Sequence, residues 1–375
     1  MNNPSPSRLR ARDLGIPFDG EPGPLNTVTD VAGVEVGHTT IISGDGPLVT
    51  GQGPVRTGAT VVFPRGRDGI MAPCFAGYHG LNPWGELTGI ARLEAQGLMG
   101  GPLATTNSMS VGLVRDTIAR WLTEGHDNER MMALMGQSIR VVGETHDGYL
   151  NDIVGQHVTR DHVIAALESA RGGPVAEGSV GGGTGMTAYE FKAGIGTASR
   201  VFEAGPGRWT LGVIVQANHG LRDDLTIAGV RVGRELGGGW KDSESGSIIG
   251  TAITDAPLLS PQLKRIAQRV GLGVARTGAI GRNNSGDMFV ALSTANRETW
   301  ADTDGLRQAA FLHDAHIDPL FEAAVQAAEE AVINSMIASP AMTGIDGNIS
   351  PELPNDAVID VLGRFGRHKG PTMSG

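Results

Sequence analysis

The sequence predicts a layered α/β fold, and three observations carry that prediction. Strand-like and helix-like segments alternate along the whole chain. Several strand-like runs are apolar at consecutive positions, the pattern of strands covered on both faces. Glycine is abundant and aromatic residues are scarce: 57 of the 375 residues are Gly, and 5% are Phe, Trp or Tyr. Ordinary usage is about 7% Gly. These glycines have no period, which excludes collagen and simple repeats, and they gather at the ends of apolar segments. Tight turns and close backbone contacts around a packed sheet follow.

In chain order, strands are expected at 58–63 and 70–76, rich in apolar and β-branched residues and bounded by Gly, Pro or Asn. Helices at 86–95 and 108–123 come next, then a strand at 139–143 and a helix at 161–170. Three strands follow at 209–217, 227–232 and 247–254. Ser260-Pro261 sets an N-cap residue before a proline at the first helical position, so a helix at 261–270 starts there. A strand is expected at 287–293. In the helix at 319–338, Phe321, Ala324, Val325, Ala328, Val332 and Met336 recur at helical spacing and define one buried face. A last helix is expected at 356–365. No long Pro-rich or charged linker divides the chain. The only candidate break, 237–246, precedes a core strand.

At 39.0 kDa the chain has material for a sizeable core. Forty Asp and Glu stand against 30 Lys and Arg, a formal charge of −10 with no concentrated basic tract. Nucleic acid and anionic membranes are therefore not expected partners. The single cysteine, Cys74, excludes an internal disulfide framework, fits a reducing compartment and reads as a structural residue in a strand. The first fifteen residues are polar and lack the apolar core of a signal peptide or membrane anchor. A soluble, cytoplasmic protein is expected.

The chemically suggestive position is Gly246-Ser247, where a polar, flexible stretch delivers a serine onto the apolar run Ile248-Ile249-Gly250-Thr251-Ala252-Ile253-Thr254. If the chain cut itself there, Ser247 would carry a nucleophile and a base on one residue. An α-amino group has a pKa of about 7.7 to 8 and accepts a proton near neutral pH. Glycine on the carbonyl side leaves the attack unobstructed and tolerates a strained backbone. On the dipeptide alone, an ordinary loop-to-strand junction is the plainer reading.

Other segments place the junction in a wider pattern. Thr29-Asp30-Val31-Ala32-Gly33-Val34-Glu35-Val36-Gly37-His38, Asn82-Pro83-Trp84-Gly85-Glu86-Leu87-Thr88-Gly89 and Val180-Gly181-Gly182-Gly183-Thr184-Gly185-Met186 occur in that order. Gln216-Ala217-Asn218-His219-Gly220, Gly246-Ser247-Ile248-Ile249 with Thr254-Asp255-Ala256-Pro257-Leu258, and Asn284-Ser285-Gly286-Asp287 follow. By these segments, spread over nearly its whole length, the chain resembles the D-aminopeptidase and β-peptidyl aminopeptidase family. These are serine N-terminal-nucleophile hydrolases related to ornithine acetyltransferase. The resemblance implies an α-β-β-α sandwich, a single catalytic domain over 1–375, and self-cleavage between Gly246 and Ser247 into chains 1–246 and 247–375. It also implies an aminopeptidase acting on short peptides, amides or esters with a free N-terminus.

Residue by residue, the resemblance makes Ser247 nucleophile and base and Asn218 the oxyanion donor. Ser285 and Asp287 become the pair that orients the nucleophile and its amine. Glu144 stands where a carboxylate meets the substrate ammonium. His146 replaces a tyrosine whose hydroxyl assists the oxyanion in relatives; its imidazole or the nearby Tyr149 is left to supply that donor. Read alone, Asn218 is a turn residue before His219-Gly220, Ser285 to Asp287 a turn entering a strand, and His146 a surface histidine. A homo-oligomer, a tetramer of processed pairs, is implied as well. An acyltransferase of the ornithine acetyltransferase type is the alternative activity, although that relative uses threonine; an unprocessed, non-enzymatic homologue is the alternative to any activity.

Two further motifs take plainer readings. Val180 to Gly185 is glycine-rich but lacks both the Lys-Ser/Thr ending of a P-loop and the dinucleotide spacing, so it is read as close backbone packing beside the site. His313-Asp314-Ala315-His316-Ile317-Asp318 has no metal-ligand spacing and reads as a helix entry at Asp318-Pro319. No cofactor and no metal are expected.

Overall fold

The computed structural model describes residues 9–124, 140–240, 246–300 and 305–368. Ile139, the expected start of one strand, and residues 241–245 of the stretch before Gly246 lie outside the described residues. The strands are β1 (Glu35–Ser43), β2 (Val55–Phe63), β3 (Cys74–Pro83), β4 (Leu98–Met99), β5 (Leu103–Asn107), β6 (Val141–Thr145), β7 (Thr187–Ala188), β8 (Phe191–Lys192), β9 (Ile195–Ala204), β10 (Gly207–Asn218), β11 (Gly246–Thr254), β12 (Ser285–Ser293), β13 (Met342–Thr343) and β14 (Ile349–Ser350). The helices are α1 (Ile90–Gln96), α2 (Val111–Thr123), α3 (Arg160–Ser169), α4 (Val232–Leu236), α5 (Ser260–Arg276), α6 (Asp318–Ile337) and α7 (Asn355–Arg364).

Two sheets form the centre, one in the order β1-β2-β5-β6 and one in the order β4-β3-β12-β11-β10-β9. Within the second, β11 and β12 run parallel while their neighbours pair antiparallel. A parallel pair needs a long crossover, and α5 supplies it. Side chains alternate with the strand period of two. Val213, Val215 and Ala217 of β10 and Phe289 and Ala291 of β12 pack with Ile266, Val270, Ala324 and Val332 of α5 and α6. Ile214, Ile253, Val290 and Leu292 point the other way, toward Val62, Leu103 and Val141 of the first sheet. Beyond that sheet, Val61, Ala104 and Val142 meet Val114, Ile118, Val163 and Leu167 of α2 and α3. Four layers result, α-β-β-α.

Glycines let these layers approach. A Cβ at Gly196 would lie 1.9 Å from the Ala331 carbonyl oxygen, and one at Gly77 would lie 2.1 Å from the Lys264 amide nitrogen. Strand backbone therefore sits directly against α6 and α5.

Some expected elements differ. Residues 227–232 are not a strand: Ala228 and Gly229 have φ of 50° and 79°, Ile227 and Val230 close a tight turn, and α4 begins at Val232. Residues 67–69 form a 3-10 turn, and the strand expected at 70–76 starts only at Cys74, which is buried and accepts a hydrogen bond from Arg65 Nε. Helix α6 is buried around most of its circumference instead of along one face, because sheet, α5 and N-terminal segment enclose it. Helix α5 runs to Arg276, well past the expected end, and the Ser260 hydroxyl bonds the Gly97 carbonyl instead of capping. Strands β1, β5 and β9 were not anticipated. β9 carries buried polar residues, Ser199 and Arg200, that dilute an apolar pattern.

Candidate active site

β11, an inner strand of the six-stranded sheet, begins at the glycine-serine junction. Register sets its neighbours: Ser247 lies opposite Asn218 of β10 on one side and beside Gly286 of β12 on the other. Ser247 is buried, at 5% exposure. Its hydroxyl donates to the Gly246 carbonyl oxygen at 2.6 Å, and the Gly286 N–H donates to the hydroxyl oxygen at 3.2 Å. A hydroxyl on its own preceding carbonyl, backed by an N–H donor, stands beside the carbon it would attack.

Both glycines are required by packing. A Cβ at Gly246 would lie 2.3 Å from the Asn218 carbonyl oxygen, and one at Gly286 would lie 2.8 Å from Ser247 Oγ and from the Trp84 carbonyl oxygen.

Asn218 ends β10 with its amide fixed at both ends. Its Oδ1 accepts from the Thr187 N–H at 2.9 Å and its Nδ2 donates to the His146 carbonyl at 3.0 Å. An Asn amide carries two N–H groups, so one remains for another acceptor. Alternation puts Asn218 with Ile214 and Gln216 on the face between the sheets, where Ser247, with Ile249 and Thr251, also belongs. Ser285 and Asp287 fall with Phe289 on the helix-facing side, flanking Gly286. There the Ser285 hydroxyl donates to Asp287 Oδ1 at 2.7 Å, and both residues are buried. They lie within β12, not in a turn preceding it. Register sets them beside Gly246 and Ile248 of β11, on the face opposite the Ser247 side chain. Asn82 fixes this strand's entry, its Nδ2 donating to the carbonyls of Arg282 and Ser285 at 2.7 Å each. A bulge at Leu81, where β3 shifts register against Asp287 and Met288, bends the strand beside the site.

Glu144 reaches the same place from the first sheet. Its Oε1 accepts from the Glu86 N–H at 3.0 Å, and Oε2 takes a short hydrogen bond from the Ser108 hydroxyl. The Trp84-Gly85 backbone bridges this carboxylate to the nucleophile: a Cβ at Gly85 would lie 2.6 Å from Glu144 Oε1 and 3.7 Å from the Gly286 Cα. The 84–85 backbone thus lies between the carboxylate and the strand that flanks the serine.

His146 is brought in by its backbone. Its carbonyl holds Asn218, while its exposed imidazole accepts from the Gly148 N–H through Nδ1 at 3.3 Å. The Tyr149 hydroxyl is directed to the Ile349 carbonyl at 3.2 Å.

Four contributors escaped the sequence reading: Ser108, Asn82, Thr187 and His219. Ser108 follows β5, whose parallel register with β6 pairs Asn107 with Thr145 and so carries it to Glu144. Asn82 lies in a quoted segment, yet its role needs the β3–β12 pairing. His219 sits opposite Gly246 with neither ring nitrogen hydrogen-bonded among the described residues, edge-on to Tyr189 at 5.0 Å. Burial pushes its pKa down to about 3, so it is neutral at physiological pH. The glycine-rich run 180–185 packs as read, since a Cβ at Gly182 would lie 2.1 Å from Gln216 Oε1 and 2.6 Å from the Thr105 carbonyl.

Residues 26–350 match peptidase family S58. The β-peptidyl aminopeptidase BapA of Sphingosinicella xenopeptidilytica is 45% identical over 379 residues, covering 96% of this chain and 92% of the relative. Among solved structures, the L-aminopeptidase D-Ala-esterase/amidase of Ochrobactrum anthropi is 42% identical with a TM-score of 0.88, covering 96% of this chain and 99% of that one. It is described as a prototype of the serine aminopeptidases and a variant of the Ntn hydrolase fold. A β-aminopeptidase from Burkholderia sp. is 42% identical with a TM-score of 0.85 and the same coverage.

Proposed function

This chain belongs to peptidase family S58, and on that premise we propose that Gly246-Ser247 is a self-processing site whose freed serine is the nucleophile. The protein is an aminopeptidase, a hydrolase of peptides. One observation carries the processing: the buried Ser247 hydroxyl lies 2.6 Å from the Gly246 carbonyl oxygen. In the first step the Oγ–C bond forms and the C–N bond breaks, and the hydroxyl proton ends on the Ser247 nitrogen. Water then hydrolyses the resulting ester. Residues 1–246 end in a carboxylate and 247–375 begin with a free amine.

In turnover that amine takes the Ser247 hydroxyl proton as Oγ attacks the substrate carbonyl, then gives it to the leaving amine. Water, activated by the same amine, releases the acyl group. The free N–H of Asn218 donates to the developing oxyanion, Ser285 and Asp287 hold the amine, and Glu144 receives the substrate's ammonium. Substrates are short peptides, amides or esters with a free amino terminus, and the processed pairs assemble into a homo-oligomer. Intact-mass measurement on active protein is expected to show two chains, and Ser247→Ala to leave one chain with no turnover. A single 39 kDa species that is fully active would sink the reading.

A further inference from the structure

Six residues before the proposed scissile bond, Trp240 is held from three sides. Its backbone N–H donates to Glu190 Oε2 at 2.5 Å. Its ring stacks on Tyr149, centroids 6.1 Å apart and planes 22° from parallel. The Arg222 guanidinium lies 5.5 Å from its centroid and 3.5 Å over the Phe191 ring. Arg222 is itself pinned: its Nε donates to the Tyr189 carbonyl, Nη2 to the Glu190 carbonyl and Nη1 to the Gly237 carbonyl at 3.1 Å, while its backbone N–H donates to Glu190 Oε1.

The hairpin that presents Glu190 is strained for this purpose. Tyr189 and Glu190 join β7 to β8 with φ of 50° and 62°, left-handed conformations at two consecutive non-glycine residues. Both lie outside the right-handed region that non-glycine residues favour. Asn or Gly would make this turn without strain. Tyr and Glu stand here instead, and their side chains do specific things: Tyr189 covers His219 behind Gly246, and Glu190 grips the Trp240 and Arg222 amides.

We propose that Trp240 is a positioning residue for self-cleavage: the Glu190–Arg222–Tyr149 clamp fixes the chain's entry to the junction so that the Gly246 carbonyl stays against the Ser247 hydroxyl. The inference rests on the processing proposed above. Proximity of this kind acts on a one-time intramolecular reaction, where orientation of the attacking group sets the rate. The partners described for Trp240, namely Glu190, Arg222 and Tyr149, are not the groups that perform turnover in the reading above, and the Tyr149 hydroxyl is directed to the Ile349 carbonyl, so the two reactions separate.

The test follows freshly translated full-length chain by gel and mass as 39 kDa protein converts to two fragments. Trp240→Ala is expected to lengthen the half-time at least tenfold and Trp240→Phe, which keeps a stacking ring, to restore it to within threefold. Fully processed Trp240→Ala enzyme is expected to hydrolyse an alaninamide with kcat and KM within twofold of the parent. Tyr149→Leu, which removes the opposing ring, is expected to slow processing severalfold and serves where Trp240→Ala does not fold, as judged by its thermal transition. Processing of both variants at the parent rate would overturn the clamp. A parent chain that never splits would overturn the self-cleavage reading beneath it.

Discussion

Asn218 illustrates how little freedom the site leaves a single side chain. The Thr187 N–H and the His146 carbonyl fix the amide's orientation, and its remaining N–H is thereby aimed without reorganisation. Removing one such donor costs about 3 to 4 kcal/mol of transition-state stabilisation, so Asn218→Ala is expected to lower kcat by about 10² to 10³-fold. Two buried groups lose their partner as well, at about 2 kcal/mol of stability. Steady-state kinetics beside urea unfolding separates the two losses; a stability loss with kcat preserved would make the asparagine structural. The neighbouring His219 behaves differently. Its imidazole is neutral in the fold, with a pKa lowered by burial to about 3, whereas an unfolded histidine titrates at about 6.5. The unfolded chain therefore binds a proton that the folded chain does not. Stability is fully present above the unfolded value and is lost as pH falls from there toward the folded one, at about 1.4 kcal/mol per pH unit for one proton. His219→Phe keeps the ring against Tyr189, removes two unpaired nitrogens and is expected to flatten that acid limb while stabilising the protein at pH 7. An unchanged slope in thermal melts between pH 4 and 6.5 would refute the assignment.

At the scale of elements, the junction depends on how tightly β10 and β11 close around it. Ser247 was legible because a serine follows a glycine at the mouth of an apolar run, and Asn218, Ser285 and Asp287 because they recur in segments of a recognisable family. What those segments do not reveal is sidedness. Only the sheet shows that Ser285 and Asp287 lie on the helix side of β12 while Asn218 shares the side of the Ser247 hydroxyl. Ser108 stayed hidden for the same reason: its meeting with Glu144 is written in the parallel register of β5 and β6, which has no local signal. Residues 227–232 misled in the opposite direction, β-branched residues around a glycine serving a left-handed turn. Close approach at Gly246 gives a direct test. An alanine methyl there would meet the Asn218 carbonyl at 2.3 Å and force the strand ends apart. Gly246→Ala is expected to slow chain splitting by more than tenfold, read from fragment accumulation, with only about 1 to 3 kcal/mol lost in stability as for other overpacked sites.

Across the whole molecule, the proposed cut falls where it leaves the fold intact. Strands β11 and β12, from the part after Ser247, are inserted between β3 and β10, from the part before it, so backbone ladders bind the second part along both edges. A buried ionic network adds a second tie. Glu330 of α6 accepts from Arg200 of β9 at 2.7 Å, from Arg12 at 2.9 Å and from Asn26 at 2.6 Å, three residues that all belong to the part before the cut. Glu330 and Arg200 are 0% and 1% exposed at their side chains. Burial raises the Glu330 pKa, but Arg200 and Arg12 outweigh it and hold the carboxyl below its usual range. The ionised form is therefore the folded one, and its contribution, present above the unfolded carboxylate pKa, is lost as pH falls through the depressed value. Replacing one member of a buried pair strands its partner, at about 3 to 5 kcal/mol. Glu330→Ala leaves Arg200 uncompensated between the two parts of the processed enzyme, far from Ser247 along the sheet. The expected outcome is a lower urea midpoint of about that magnitude, with fragments 1–246 and 247–375 separating on size exclusion at a denaturant concentration where the parent still elutes as one species. The turnover number of the fraction still assembled should match the parent. A variant whose fragments stay together through the same range would place the tie between the two parts in the shared sheet alone.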